Sequence, residues 1–194
     1  MEKNNQIIVQ ICGAGGIGSN LAYHLDKLIE LNQITGSFTF YDDDIVELKN
    51  ILYQNFKTYD IDSKKTDALS LRYVNLKFRA ERLTKDMIKN TNLLLLCVDN
   101  NATRQDAWEV FQERNIPFID ARSNGKVFGL FSSDTPNYLS TLGQSKTSSS
   151  CQNPFQIAKK QIEYGNVIVA TLLAQAVLNY TRNNCLPNDL MISM

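Results

Sequence analysis

The 194-residue sequence predicts an α/β fold: a mostly parallel sheet flanked by helices, with a C-terminal antiparallel extension and helix. Three observations carry this. An apolar run, Ile7 to Cys12, stops at a glycine cluster and passes at once into a helix-like segment. Leu93 to Val98 is the most apolar run in the chain, as a central parallel strand is. Strand-like and helix-like segments alternate between and after these two runs.

The first strand is Ile7 to Cys12. Gly13, Gly15, Gly16 and Gly18 follow it. Glycines permit positive φ and let backbone approach a phosphate closely, and the N-terminus of the next helix offers N–H groups and positive dipole charge. That helix starts near Gly18 and sets Leu21, Leu25 and Leu28 on one face. The second strand, Ser37 to Tyr41, ends in Asp42, Asp43 and Asp44. Glu47 to Asp62 is polar and irregular. A helix is predicted from Ser63, its N-cap, to Asn75, with Ala68, Leu71 and Val74 on one face. Lys77 to Leu83 reads as a weak strand, and Thr84 caps a brief helix. Asp99 and Asn100 end the strand Leu93 to Val98, and helix Ala102 to Arg114 follows. Pro117 to Ala121 and Val127 to Phe131 read as strands on either side of the turn Ser123-Asn124-Gly125. Thr135 to Ser150 is a polar loop. Pro154 to Ala176 and beyond is helical, bent near Gly165, and its part Val167 to Leu178 is strongly apolar. One domain, residues 1–194, is expected, with a nucleotide-binding core over 1–122 and an extension over 123–194.

Composition narrows the function classes. Twenty basic and twenty acidic residues cancel, which argues against a dedicated nucleic-acid binder. No apolar run approaches the ~20 residues of a membrane span, and Met1 to Gln6 lacks the layout of a signal peptide. The four cysteines contain no C-x-x-C pair, so neither a disulfide framework nor a four-cysteine zinc site is expected. Cys12 and Cys97 read as small buried hydrophobes. The expected setting is cytoplasmic, with no nucleic-acid or membrane partner.

Ligands of parallel α/β sheets bind at the C-terminal ends of the strands. The glycine loop, Asp42 to Asp44 and Asp99-Asn100 lie at three such ends. Asp42 stands 24 positions beyond Gly18, near the spacing of an acid that accepts from nucleotide ribose hydroxyls. Asp44 is then spare, structural, or a polar ligand such as one to a metal. Arg79, Arg82 and Lys85 form a small basic cluster that reads as a solvated edge. His24 falls on a polar helix face.

In this order the motifs resemble the ThiF/MoeB/HesA family, relatives of ubiquitin-activating enzymes. The C-terminal half, with Asp120-Ala121-Arg122 ending a strand, Tyr138, Thr141-Leu142, Cys151 and the apolar helix with Asn166, resembles the compact stand-alone branch of that family. The family pattern runs GxGGxG, D-x-D, N-L-x-R-Q, a lysine opening a helix, and D-N-x-x-x-R. Here it reads Gly13, Gly15, Gly16 and Gly18; Asp42 and Asp44; Asn50 to Gln54; Lys65 with Ala68; and Asp99-Asn100 with Arg104. The resemblance implies a Rossmann-like fold with ATP and Mg²⁺ as cofactors and no zinc. It implies adenylation of the C-terminal carboxylate of a small ubiquitin-like or sulfur-carrier protein ending in Gly-Gly, and a homodimer. By resemblance Asp42 holds the ribose, Lys65 the phosphates and Asp99 the Mg²⁺, while Asn50 and Gln54 support the phosphate site. Asn100 and Asp44 complete the set. Lys64 is a near alternative to Lys65, but Thr66 and Ala68 match the family spacing from Lys65. The family arginine of N-L-x-R-Q is Tyr53 here, which carries no charge. Lys3 and Arg122 are the candidate substitutes. Cys151, after a serine-rich loop, is either an acceptor thiol or an incidental packed one. Two other functions compete: a non-catalytic nucleotide-binding scaffold, favoured by Tyr53, and a nicotinamide-dependent oxidoreductase.

Overall fold

The computed structural model describes residues 6–143, 157–159 and 161–194. Its elements are β1 (Ile7–Cys12), α1 (Gly18–Glu30), β2 (Gly36–Tyr41), α2 (Lys65–Ser70), β3 (Lys77–Arg79), β4 (Leu93–Leu96), α3 (Asn101–Arg114), β5 (Phe118–Asn124), β6 (Val127–Ser132), α4 (Gly165–Asn183) and β7 (Leu190–Ser193). They form one seven-stranded sheet ordered β3-β2-β1-β4-β5-β6-β7. β3, β2, β1, β4 and β5 run parallel, and β6 and β7 are added antiparallel. The order reverses between β1 and β4, which opens a crevice at the C-terminal ends of those strands.

The period of two along each strand divides the core between the faces of the sheet. Val9, Ile11, Phe38, Phe40, Leu93 and Leu95 pack with α1 and α4. Cys12, Tyr41, Leu94, Leu96 and Phe118 pack with Ala107 and Val110 of α3. All four leucines of β4 are buried, so its unbroken apolar run is that of a strand covered on both faces. The glycine loop is fixed by contact. Gly13 has φ +97°, and a Cβ there would lie 2.5 Å from the Cys97 carbonyl oxygen. A Cβ on Gly18 would lie 2.0 Å from the Gly13 carbonyl oxygen.

The predicted helix Ser63 to Asn75 is shorter than its periodicity indicates. α2 ends at Ser70, and Leu71 and Val74 are 84% and 82% exposed rather than in the core. Tertiary bonds stop it. Arg72 pairs with Asp60 at 2.9 Å and donates to the Asn55 carbonyl, Asn55 donates to the Tyr73 hydroxyl, and the Asn75 N–H donates to Asp26. Tyr73 and Leu76 are buried in place of Leu71 and Val74. Ser63 is not the cap: Lys64 occupies that position, and the Lys65 N–H donates to the Asp44 carbonyl. β5 continues past Ala121 to Asn124 because it pairs with β6 across a tight turn at Gly125-Lys126. β7, a short half-exposed edge strand, lies beyond the predicted elements.

α4 starts at Gly165, the predicted bend, where a Cβ would fall 2.0 Å from the Gly125 carbonyl oxygen. Its apolar side (Val169, Ala170, Leu173, Ala174, Val177) is buried against α1, β5 and β6. That side of the helix is covered within the chain, while Ile168, Leu172 and Leu178 are partly buried. No helix among the described residues is long and apolar enough to cross a membrane.

His24 of α1 meets Thr171 of α4 at 3.1 Å, and burial holds its imidazole below the usual 6.5. A depressed histidine makes the unfolded chain bind more protons below pH 6.5, so stability is present above that value and is lost as pH falls toward the lowered one. The chain has one histidine. His24→Gln will therefore flatten the fall in Tm between roughly pH 7 and 5 relative to the unmodified protein, as thermal melts across that window will show.

Candidate functional site

The crevice at the strand ends gathers residues far apart in sequence. The glycine loop supplies Gly13, Gly15 and Gly16; the end of β2 supplies Asp42, Asp43 and Asp44; α2 opens with Lys65; and β4 is followed by Asp99 and Asn100. Tyr53, Gln54, Arg82, Leu83, Val98 and Thr103 also line it.

Asp42 is clamped by backbone. One oxygen accepts from the Ala14 N–H at 2.7 Å and the other from the Asp44 N–H at 2.9 Å. Burial raises its pKa, and the Lys65 charge and these two N–H groups oppose the rise. Lys65 is 6% exposed; its Nζ lies 2.6 Å from Asp44 Oδ2 and 4.0 Å from Asp42 Oδ1. Asp44 is thus the ion-pair partner of Lys65. Lys64 turns away and donates to the Asp43 carbonyl.

Asp99 is exposed at the mouth. The strand end that carries it is held from below by Arg104, which donates to the Val98 carbonyl at 2.6 Å, to Asn101 at 3.0 Å and to Asp120 at 3.1 Å. The Asn100 side chain caps α3 by accepting from the Thr103 N–H at 2.9 Å. Asn50 does not line the crevice. Its side chain accepts from the Glu47 N–H, and its carbonyl accepts from the N–H groups of Tyr53 and Gln54, so it shapes the turn that presents them. Gly18 is likewise behind the wall, where its lack of a side chain permits the contact with Gly13.

Two features leave room for a ligand. Gln54 Oε1, an acceptor, is buried with no partner among the described residues and is open to a donor such as a hydroxyl or amino group. A Cβ on Gly15 would meet no protein atom within 4 Å, so the fold itself does not demand glycine at this point of the lining. Four carboxylates and two cations, Lys65 and Arg82, line the crevice, and an anionic ligand there needs added positive charge. Among the described residues no cluster of three or more histidine, cysteine or acidic side chains could hold a metal alone. Such a donor set suits Mg²⁺ that arrives on phosphates and takes one or two protein carboxylates.

Arg122 lies elsewhere. Its guanidinium is bound to Asp120 at 2.7 Å and to Thr141 at 2.9 and 3.0 Å, and it stacks 4.2 Å from the Phe131 ring centre. It lines a second cavity with Arg104, Phe128 and Met191, which adjoins the crevice at Val98. Asp120 is fully buried and also accepts from the Tyr138 hydroxyl at 2.8 Å, whose pKa is raised by burial and then by the Asp120 charge. The candidate residues Cys151 and Lys3 lie outside the described residues. Cys12 and Cys97 are buried, and burial followed by the Asp42 charge pushes the Cys12 thiol up to about 12.

Arg82 is a crevice residue that sequence reasoning placed on a solvated edge. It stands 3.9 Å from Asp43. The signal was its position just past the end of β3, beside the acids that end β2.

Comparison with known proteins places the chain in a family. The chain is 33% identical over 128 residues to the sulfur carrier protein ThiS adenylyltransferase of Escherichia coli (strain K12), an alignment covering 60% of this chain and 49% of that protein. The solved structure of E. coli MccB with ATP superposes with TM-score 0.69 at 17% identity, over 97% of this chain and 61% of that one. PaaA superposes with TM-score 0.69 at 18% identity, over 97% and 61%. The chain thus spans about half to three fifths of the length of these relatives, and the structural likeness concerns the fold. The ThiF family pattern matches residues 1–190, and the chain belongs to the ThiF family.

Proposed function

We propose that the chain adenylates the C-terminal carboxylate of a small ubiquitin-like or sulfur-carrier protein, using ATP and releasing pyrophosphate. The observation that supports it best is the convergence on one crevice of a glycine loop, a backbone-clamped Asp42, a buried Lys65 and an exposed Asp99. That the E. coli relative is a ThiS adenylyltransferase and that MccB is solved with ATP point the same way.

In this reading Asp42 accepts from the ribose hydroxyls. The glycine-loop N–H groups and Lys65 receive the phosphates, and Asp99 holds Mg²⁺, which supplies positive charge to the phosphates. The acceptor carboxylate is already ionised at pH 7 and needs no general base. Its oxygen attacks the α-phosphorus, the bond to the bridging oxygen breaks, and pyrophosphate leaves with the electron pair. Two anions meet in this step, so the work of the protein is charge stabilisation and alignment. The second cavity, lined by Arg104, Arg122, Phe128 and Met191 among others, is the proposed place for the acceptor's C-terminal segment. A homodimer belongs to the proposal by resemblance alone.

Tyr53 in the crevice wall favours one further reading, a nucleotide-binding subunit without catalysis. Exchange of labelled pyrophosphate into ATP separates the two. The expected result is exchange that depends on an added partner protein ending in Gly-Gly. Background exchange with that partner, while ATP still binds, supports the non-catalytic reading.

A further inference from the structure

Asn166 sits in the first turn of α4 and is 1% exposed. Its carboxamide joins two parts of the crevice wall that are remote from it in sequence. Nδ2 donates to the Tyr53 carbonyl at 2.7 Å and to the Gly16 carbonyl at 3.1 Å. A primary amide nitrogen carries two hydrogens and makes both bonds at once. The Gly16 carbonyl accepts a second side-chain bond, from Asn20 at 2.7 Å. In a trans peptide the carbonyl and the following N–H point opposite ways. Tying down the Gly16 carbonyl therefore fixes the Ile17 N–H at the N-terminal end of α1, the kind of helix end that attracts an anion. The seat of Asn166 is itself rigid. Gly165 touches the Gly125 carbonyl with no room for a Cβ, and Val169 and Leu173 are buried on the following turns.

We infer that Asn166 is a positioning residue that holds the glycine loop and the Tyr53-Gln54 turn at the separation at which both face one phosphate group. The phosphate site is then assembled by the C-terminal helix and is not a property of the β1–α1 unit alone. The nucleotide part of this inference rests on the proposed function; the clamp does not.

The experiment uses the full chain as Asn166→Ala, Asn166→Asp, Asn20→Ala and, as a stability control, Val177→Ala. Val177 is fully buried on the same helix, about 16 Å further along at 1.5 Å per residue. Amide exchange is followed without nucleotide at Ser19, whose N–H donates to Gly15, and at Gln54, whose N–H donates to Asn50. ATP·Mg affinity is measured by calorimetry at a temperature where all variants are folded. The inference expects Asn166→Ala to speed exchange at both amides and to raise the Kd about 10-fold or more, two hydrogen bonds being lost. Asn166→Asp fills the same space without a donor and behaves no better than alanine. Asn20→Ala removes only the other side-chain bond to the Gly16 carbonyl, so it loosens Ser19 and leaves Gln54 protected; loosening of Gln54 as well would show that the two walls are not joined through Asn166 and overturn the inference. Val177→Ala lowers Tm and leaves the Kd unchanged. Equal loss of affinity in Val177→Ala at matched Tm, or unchanged protection in Asn166→Ala, overturns the inference. If the unmodified protein binds no ATP, the proposed function falls, and the exchange measurements alone decide the clamp.

Discussion

Lys65→Ala will lower ATP–pyrophosphate exchange by about 10²–10³, the usual loss when one positioned charge is taken from a developing anion. Lys65 is the buried cation of the crevice, and Arg82 stands at its rim with 74% of its side chain exposed. Removing Lys65 also leaves Asp42 and Asp44 facing each other without a counter-ion. Asp99→Ala will abolish exchange and leave the melting curve nearly unchanged, because Asp99 is exposed and the strand end beneath it is held by Arg104 through the Val98 carbonyl. Tyr53→Arg adds the family charge at the wall and will not lower the rate. Retention of full exchange in Lys65→Ala would remove the crevice from the chemistry.

Asp120→Ala will destabilise the protein by about 3–5 kcal/mol, the cost of breaking a buried ion pair by removing one partner. Asp120 is 0% exposed and is shared by Arg104, Arg122 and the Tyr138 hydroxyl. Its loss strands the 7% exposed Arg104 and frees Arg122 from the second cavity wall. Tyr138→Phe deletes one hydrogen bond and keeps the ring packed on Trp108 and Phe118, so it will cost about 1–2 kcal/mol. Urea denaturation of the three proteins checks the order. An Asp120→Ala loss no larger than that of Tyr138→Phe would show that the two arginines find other partners.

The parts of the site legible in the sequence are those set by local chemistry. A strand, a glycine turn and a helix follow one another in Ile7 to Glu30, and the acids at Asp42 and Asp99 stand at strand ends because apolar runs stop there. Lys64 and Lys65 are near-equal by sequence and only the family spacing of Thr66 and Ala68 favours Lys65; the structure separates them, with Lys65 on Asp44 and Lys64 on the Asp43 carbonyl. What escaped the sequence depends on distant partners. The helical period at Leu71 and Val74 is genuine, but Asp60 and Asn55 capture Arg72 and end the helix. Arg122 is a candidate substitute for the family arginine by sequence, and the buried Asp120 two residues before it takes that charge. Asn166 stands in the sequence only as part of the resemblance, and its reach to Gly16 and Tyr53 follows from the packing of α4 on α1.

The central claim is that this crevice receives ATP·Mg, and calorimetry of the unmodified chain and of Gly15→Val with ATP·Mg and with NAD tests it most directly. The account predicts saturable ATP·Mg binding, weaker or no NAD binding, and loss of ATP binding in Gly15→Val with the fold intact, since a side chain there enters the lining without meeting protein. Tighter binding of NAD than of ATP·Mg, or unaltered ATP binding in Gly15→Val, would contradict it.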